Sequence, residues 1–180
     1  RFRRLVAMSG FFKHLGRVAR HIGFALVGYA DRSLTPSIRT RIQGGIAASE
    51  SRHTGQVRIY VESSLPLSYL SRNAAARERA ITLFGKLRVW DTENNNGILI
   101  YLLMAEHAIE IVADRGLNRH VHPERWTEMI SRMRIPLREG HWEDGLMLAL
   151  DEVSTLLEQH FPAPPGTALS NELPDAPIIH

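Results

Sequence analysis

Val89–Gly116 reads VWDTENNNGILIYLLMAEHAIEIVADRG. It opens on a polar, oxygen-rich loop, Asp91-Thr92-Glu93-Asn94-Asn95-Asn96-Gly97, and continues as an unbroken apolar run from Ile98 to Met104. That run is too short to span a bilayer and rich in residues that suit a pleated sheet, so it predicts a central strand buried on both faces. Beyond Ala105-Glu106-His107, residues Ala108 to Ala113 alternate, with Ile109, Ile111 and Ala113 on one side and Glu110 and Val112 on the other. The two segments predict an antiparallel hairpin with a tight turn at Glu106-His107. A hairpin brings the end of its second strand beside the start of its first. Asp114-Arg115-Gly116 is therefore expected back at the Asp91–Gly97 loop.

Upstream, Gln56 to Glu62 alternates Val57, Ile59 and Val61 with Arg58, Tyr60 and Glu62, the pattern of a strand with one buried face. Between the strands, Leu70, Ala74, Ile81, Phe84 and Leu87 share one face of a helix expected from about Tyr69 to Leu87. Strand, helix, strand predicts a right-handed crossover and a parallel pair. Before them, Thr35-Pro36 is a helix start, and Leu34, Ile38, Ile42 and Ile46 recur every fourth residue. Gly44-Gly45 in that helix implies close packing against a neighbour, and Thr54-Gly55 ends it. Downstream, a helix opens at His122-Pro123-Glu124, carries Trp126, Met129, Ile130, Met133 and Leu137, and closes at Pro136 and Gly140. A last helix carries Trp142, Leu146, Leu150, Val153, Leu157 and Phe161. The expected fold is α/β, a three-layer α/β/α sandwich. Its small mixed sheet, a parallel pair plus an antiparallel hairpin strand, is flanked by helices.

A chain of 180 residues, 44% hydrophobic and 23% charged, has the size and composition of one soluble globular domain with extra at its ends. The expected division is a basic amphipathic arm over 1–32, the α/β domain over 33–161 and a Pro-rich tail over 162–180. Pro162, Pro164, Pro165, Pro174 and Pro177 are expected to forbid regular structure there, leaving it extended or mobile. The absence of cysteine excludes disulfides, thiolate metal sites and cysteine nucleophiles. The net charge of +3 is unevenly spread. Arg1, Arg3, Arg4, Lys13, Arg17, Arg20 and Arg32 face only Asp31 in the arm, so the middle is nearly neutral and no nucleic-acid partner is expected. Phe11, Leu15, Val18 and Ile22 recur at helical spacing. The arm then admits two readings: a helix packed on its own domain or another copy, or an interfacial helix drawn to an anionic membrane surface. Neither a signal peptide nor a transmembrane helix is read, so a cytoplasmic or peripheral-membrane location is expected.

The predicted topology puts three polar segments on one rim of the sheet: Glu50 to Thr54, Asp91 to Asn96, and Asp114 to Gly116. Their donors are hard oxygens, from Glu50, Thr54, Asp91, Thr92, Glu93, the amides of Asn94–Asn96, and Asp114. Such a set suits calcium or magnesium rather than zinc or copper. It equally serves as turn and cap chemistry. Arg115 beside it fits either a phosphate or a neighbouring carboxylate. His120 and His122 lie two apart, a spacing read as surface unless a third ligand joins them. His53, His107, His141 and His160 are expected at exposed turns or helix ends. No GxGxxG, Walker, GxSxG or HExxH pattern is present.

Over roughly Pro36 to Pro162 the sequence resembles the TPM-domain family of thylakoid-lumen, bacterial and nematode membrane-associated proteins. The resemblance is carried by Glu50 and Thr54-Gly55 before a strand, Asn96-Gly97-Ile98-Leu99-Ile100, and Gly116-Leu117. Pro136-Leu137-Arg138-Glu139-Gly140 and Asp144-Gly145-Leu146 complete it. The VWDTENNNG and VADRG wording is similar to a bacterial branch. The resemblance implies an α/β/α sandwich in which some members act as weak acid phosphatases with a divalent cation at this sheet edge. Others act as assembly or accessory factors. Two departures stand out: the family's Gly-Tyr-Gly is Asp114-Arg115-Gly116 here, and its Asp before the Asn-Gly pair is Asn95. On that basis Asp91, Glu93, Asn95 and Asp114 are expected to hold calcium or magnesium. In an enzyme Glu50 would act as general base and Arg115 would bind the phosphate of a phosphorylated small molecule. The rival expectation is a non-catalytic binding or assembly module that reaches an anionic membrane or a protein partner through residues 1–32.

Overall fold

A computed structural model describes residues 2–166 and 169–180, of which 2–13 by backbone alone. In chain order the elements are α1 (Phe2–Val27), α2 (Tyr29–Ser33), α3 (Pro36–Glu50), β1 (Gln56–Glu62), α4 (Leu67–Leu70) and α5 (Ala76–Lys86). Then follow β2 (Gly97–Leu103), a 3-10 turn over Met104–Glu106, β3 (Ala108–Ala113), α6 (Arg115–Asn118), α7 (Pro123–Arg138), α8 (Trp142–His160) and β4 (Ile178–Ile179). The sheet order is β3-β2-β1-β4. β1 and β2 run parallel with Gln56 opposite Gly97, and β3 returns antiparallel with Ala113 opposite Ile98.

β2 is buried along its whole length and divides two apolar layers. Ile98, Ile100 and Leu102 pack with Ile42 and Ile46 of α3, Met129, Met133 and Leu137 of α7, and Leu146, Val153 and Leu157 of α8. Leu99, Tyr101 and Leu103 pack on the other side with Leu70 of α4 and Ala76, Ala80 and Leu83 of α5. Alternation along one strand thus feeds both sides of an α/β/α sandwich.

The structure corrects several expectations. β1 is buried on both faces: Arg58, Tyr60 and Glu62, read as a solvent face, are 6%, 7% and 1% exposed. The helix expected over 69–87 is two pieces, and Ile81 is 54% exposed. Asn73 causes the break. It adopts a left-handed conformation (φ 53°), with Ala74 N–H donating to Tyr69 O and Asn73 N–H to Leu70 O, a helix-terminating arrangement. The hairpin turn is the 3-10 turn followed by left-handed His107. Pro136 lies inside α7, which ends at left-handed Gly140. Gly45 packs against Met147 and Leu150 as expected, whereas Gly44 has open space. Despite its prolines, the tail forms a strand: Ile178 and Ile179 pair parallel with Tyr60 and Val61.

α1 packs on its own domain through Arg17 and His21; of the expected stripe Val18 packs with the α5 layer, Leu15 and Ile22 are exposed, and the side chain of Phe11 lies outside the described residues. Arg17 Nε (2.6 Å) and the fully buried His21 Nε2 (2.9 Å) both bond Glu106 Oε1. Burial would raise the Glu106 carboxyl, yet its bonds to His21 and Arg17 hold it below the ordinary value. No helix among the described residues is long and apolar enough to cross a membrane.

Candidate functional site

The N-terminal ends of β1 and β2 and the C-terminal end of β3 form one rim. Strand direction alone dictates this, and backbone bonds close it. Asp114 N–H donates to Gly97 O at 2.9 Å, and Gly116 N–H donates to Asn95 O at 2.9 Å. From the α3–β1 side, Thr54 Oγ1 accepts from Asn96 Nδ2 at 3.2 Å. All three polar segments expected at the rim therefore meet there.

Their side chains are engaged unequally. Asp91 is exposed and paired with Arg88, three residues upstream, at 2.5 Å. Glu93 is exposed, and its backbone N–H donates to Glu172 Oε2 of the tail at 3.0 Å. Asn95, left-handed at φ 51°, offers Oδ1 to Arg115 Nε and one terminal guanidinium nitrogen at 3.0 and 2.8 Å. Asp114 caps α6, its Oδ1 accepting Arg115 N–H at 2.6 Å. Asp114 Oδ2 and Asn96 Oδ1 are buried and have no hydrogen-bond partner among the described residues. Buried acceptors are nearly always satisfied, so two orphans on adjacent chain crossings mark the polar focus of the rim. Asn96 belongs to the oxygen-rich run but stands outside the four-residue ligand set. Its proximity to the start of a buried strand was the available signal, since the residue before Gly97 is carried inward with it.

Glu50 stands at the end of α3, on the tail side of the rim. It is 8% exposed, and its Oε1 accepts Val57 N–H at 2.7 Å. Burial pushes its carboxyl up to about 7. The charge of Asp175 adds to the rise, while the Val57 bond and Arg58 pull against it. Glu50, Ser51, Gln56, Ser170, Asn171 and Asp175 line a cavity of about 400 Å³ between the end of α3 and the tail. Among the described residues no three His, Cys, Asp or Glu side chains gather as a metal cage. His120 is exposed and stacks on His160 at 5.0 Å.

His53, expected at an exposed turn, is fully buried. Its Nε2 bonds Ser49 Oγ at 2.7 Å and its Nδ1 bonds Gly55 O at 3.1 Å. Burial lowers its pKa to about 4. Glu50 and His53 therefore drive stability in opposite directions. Glu50 binds its proton more tightly when folded, so stability is lost as pH rises from about 4.5 to about 7. His53 resists protonation when folded, so stability is lost as pH falls from about 6.5 to about 4. Across the overlap these slopes, each up to about 1.4 kcal/mol per pH unit, oppose one another. Urea unfolding of Glu50→Gln should show stability rising with pH between 4.5 and 6.5, relative to the parent, and His53→Gln should show it falling. Parallel pH profiles in all three proteins would contradict this assignment.

Comparisons with known proteins agree with the geometry. The chain resembles the BA42 protein of the psychrophilic bacterium Bizionia argentinensis, solved by NMR, with a TM-score of 0.69 and 22% sequence identity. The match covers 80% of this chain and 93% of that one, a likeness of fold. No curated protein matches the sequence. The family model of the TPM domain matches residues 29–156, which hold α2 to most of α8 and the whole rim apart from its tail contacts. This chain belongs to the TPM-domain family.

Proposed function

We propose that this TPM domain is a cation-responsive binding module whose rim takes a hard divalent cation, calcium or magnesium. Asn96 Oδ1 and Asp114 Oδ2 carry the conclusion, because both are buried acceptors without a donor among the described residues. Leaving such an atom unpaired costs roughly 1–3 kcal/mol, a cost that a bound cation relieves. The donor set fits such an ion: one carboxylate, one amide oxygen, and exposed Asp91 and Glu93 close by in the loop. With one half-buried carboxylate and no acidic cage among the described residues, much of the coordination falls to water. Affinity on the order of 10⁻⁴–10⁻³ M then follows. The ion would supply positive charge that joins the Asp91–Gly97 loop to the start of α6.

The test is a calcium or magnesium titration followed at the amides of Asp91–Gly97 and Asp114–Gly116. Saturable shifts are expected in the parent chain. Asp114→Asn, which keeps the shape of the cap, should raise the midpoint about tenfold or more. An unchanged midpoint removes Asp114 from the site.

A hydrolytic reading, a weak acid phosphatase, asks more of the same residues. Glu50 titrates near neutrality, which favours a role as general base, and Arg115 would hold the phosphate. Against it, Glu50 is tied to Val57 N–H and faces the tail cavity, while Arg115 is engaged with Asn95. Binding therefore ranks first. A phosphomonoester assay with and without calcium or magnesium separates the two, since hydrolysis that disappears in Glu50→Gln would favour the enzyme. Attachment to an anionic membrane or protein through residues 1–32 belongs to the module reading. It predicts that the whole chain co-sediments with phosphatidylserine vesicles and detaches as salt rises.

A further inference from the structure

The outer edge of β1 would be an open row of peptide groups, and the chain covers it with its own tail. Gln56, 2% exposed, reads two tail amides: its Oε1 accepts from Glu172 N–H at 2.8 Å and Leu173 N–H at 2.9 Å. Arg58, 6% exposed, donates to the carbonyls of Pro174 and Ala176. Beyond them Ile178 and Ile179 extend the sheet. His180 N–H donates to Val61 O at 2.9 Å, and Ser63 N–H donates to His180 O at 2.7 Å. Among residues 169–180 only Leu173 is buried by its side chain.

These contacts recognise a backbone path, one apolar anchor and a β-branched pair, with the Glu172 carboxylate, which accepts from Glu93 N–H, and the charge of Asp175 beside Arg58 as the tail's polar additions. Two buried polar side chains of β1 are committed to reading main-chain atoms, which is the design of a strand-addition groove rather than of a core. The occupying segment also lies outside residues 29–156, which match the family. It is tethered through Pro162, Pro164 and Pro165, so it competes at high local concentration without being built into the domain.

We propose that the β1 edge, from Gln56 to Ser63, is a peptide-binding groove whose resident occupant is the chain's own tail. Its exchange partner is an extended segment of another protein, carrying a leucine-like anchor followed five and six residues later by β-branched residues.

The test uses the full chain with a protease site inserted between Pro165 and Gly166, cut after folding, and a fluorescein-labelled peptide of residues 169–180. The cut protein should either retain its tail through gel filtration or take up the labelled peptide. The uncut protein should take up about tenfold less or lower, because the tether competes. A peptide with Leu173→Asp, or protein with Arg58→Ala, should bind about tenfold more weakly, and Arg58→Lys serves if the alanine variant does not fold. A peptide keeping only Glu172, Leu173, Pro174, Asp175, Pro177, Ile178 and Ile179 on an alanine background should bind within about threefold of the natural one. The proposal fails if the cut tail separates while labelled peptide at about 1 mM does not bind, or if a scrambled peptide binds equally. It also fails if the uncut chain is a dimer that becomes monomeric on cutting, which would give the groove to a second copy.

Discussion

Glu62→Ala is expected to destabilise the protein by about 3–5 kcal/mol, because it strands a buried cation. Glu62 is 1% exposed at the end of β1. Its Oε1 accepts from Arg79 at 2.6 Å, and its Oε2 accepts from Arg79 Nε at 3.1 Å and from the Tyr101 hydroxyl at 2.7 Å. Burial alone would lower the Arg79 pKa, but its bonds and charge contact with Glu62 outweigh this and raise it. Tyr101 is likewise raised, by burial first and then by the carboxylate. Each partner thus depends on the charged state of Glu62. A paired buried ion adds little net stability over an apolar pair, whereas an unpaired one is costly. The double variant Glu62→Leu/Arg79→Leu should therefore be more stable than Glu62→Ala alone. For a domain of this size the single change should lower Tm by on the order of 10 °C. Calorimetry finding a loss under about 1 kcal/mol, or a double variant worse than the single, would show that the pair is not holding the α5 face to the sheet.

That same pair shows what the sequence conceals. The run Ile98–Met104 is legible because seven apolar residues between the polar Asp91–Gly97 loop and Ala105-Glu106-His107 have few other destinations, and from it the hairpin and the shared rim follow by strand direction alone. The second face of β1 is not legible. Arg58, Tyr60 and Glu62 alternate as a solvent face would, and only long-range partners bury them: Arg79 from α5 and the carbonyls of Pro174 and Ala176 from the tail. Nothing local in Gln56–Glu62 announces partners that distant. At the rim the limit is finer. Which segments converge is a matter of topology, but which oxygens stay unpaired depends on short-range competition. Arg88 engages Asp91 and Arg115 engages Asn95, leaving Asn96 and Asp114. The left-handed turn at Asn95 decides that allocation. The burial of His53 is concealed for a related reason: it stands at a polar position before Thr54-Gly55, yet it finds its bonds in a packed interface, as His21 does.

Gly97→Ala should cost about 1–3 kcal/mol or more, and its damage should reach the rim as well as the fold. A Cβ there would stand 1.9 Å from Val89 O and 3.0 Å from Val89 C. Those are backbone atoms, so no rotamer change relieves the clash, and Val89 is itself fully buried with its N–H bonded to Phe84 O. Either Val89 or the start of β2 must move. Both are ends of the Asp91–Asn96 loop, and Gly97 O is the acceptor for Asp114 N–H, so displacement at this position separates the loop from Asp114. Gly85 supplies the contrast. It lies within α5 with open space around its Cβ position, so Gly85→Ala should stabilise by about 0.5–1 kcal/mol through helix propensity. Gly45→Ala meets only the ends of Met147 and Leu150, which can rotate, and should fall between the two. Urea unfolding orders the three substitutions. Amide spectra then ask whether Asn96 and Asp114 shift in Gly97→Ala and stay unchanged in Gly85→Ala. A Gly97→Ala protein as stable as its parent, with those two amides in place, would mean that the approach of Val89 to β2 is not what sets the rim.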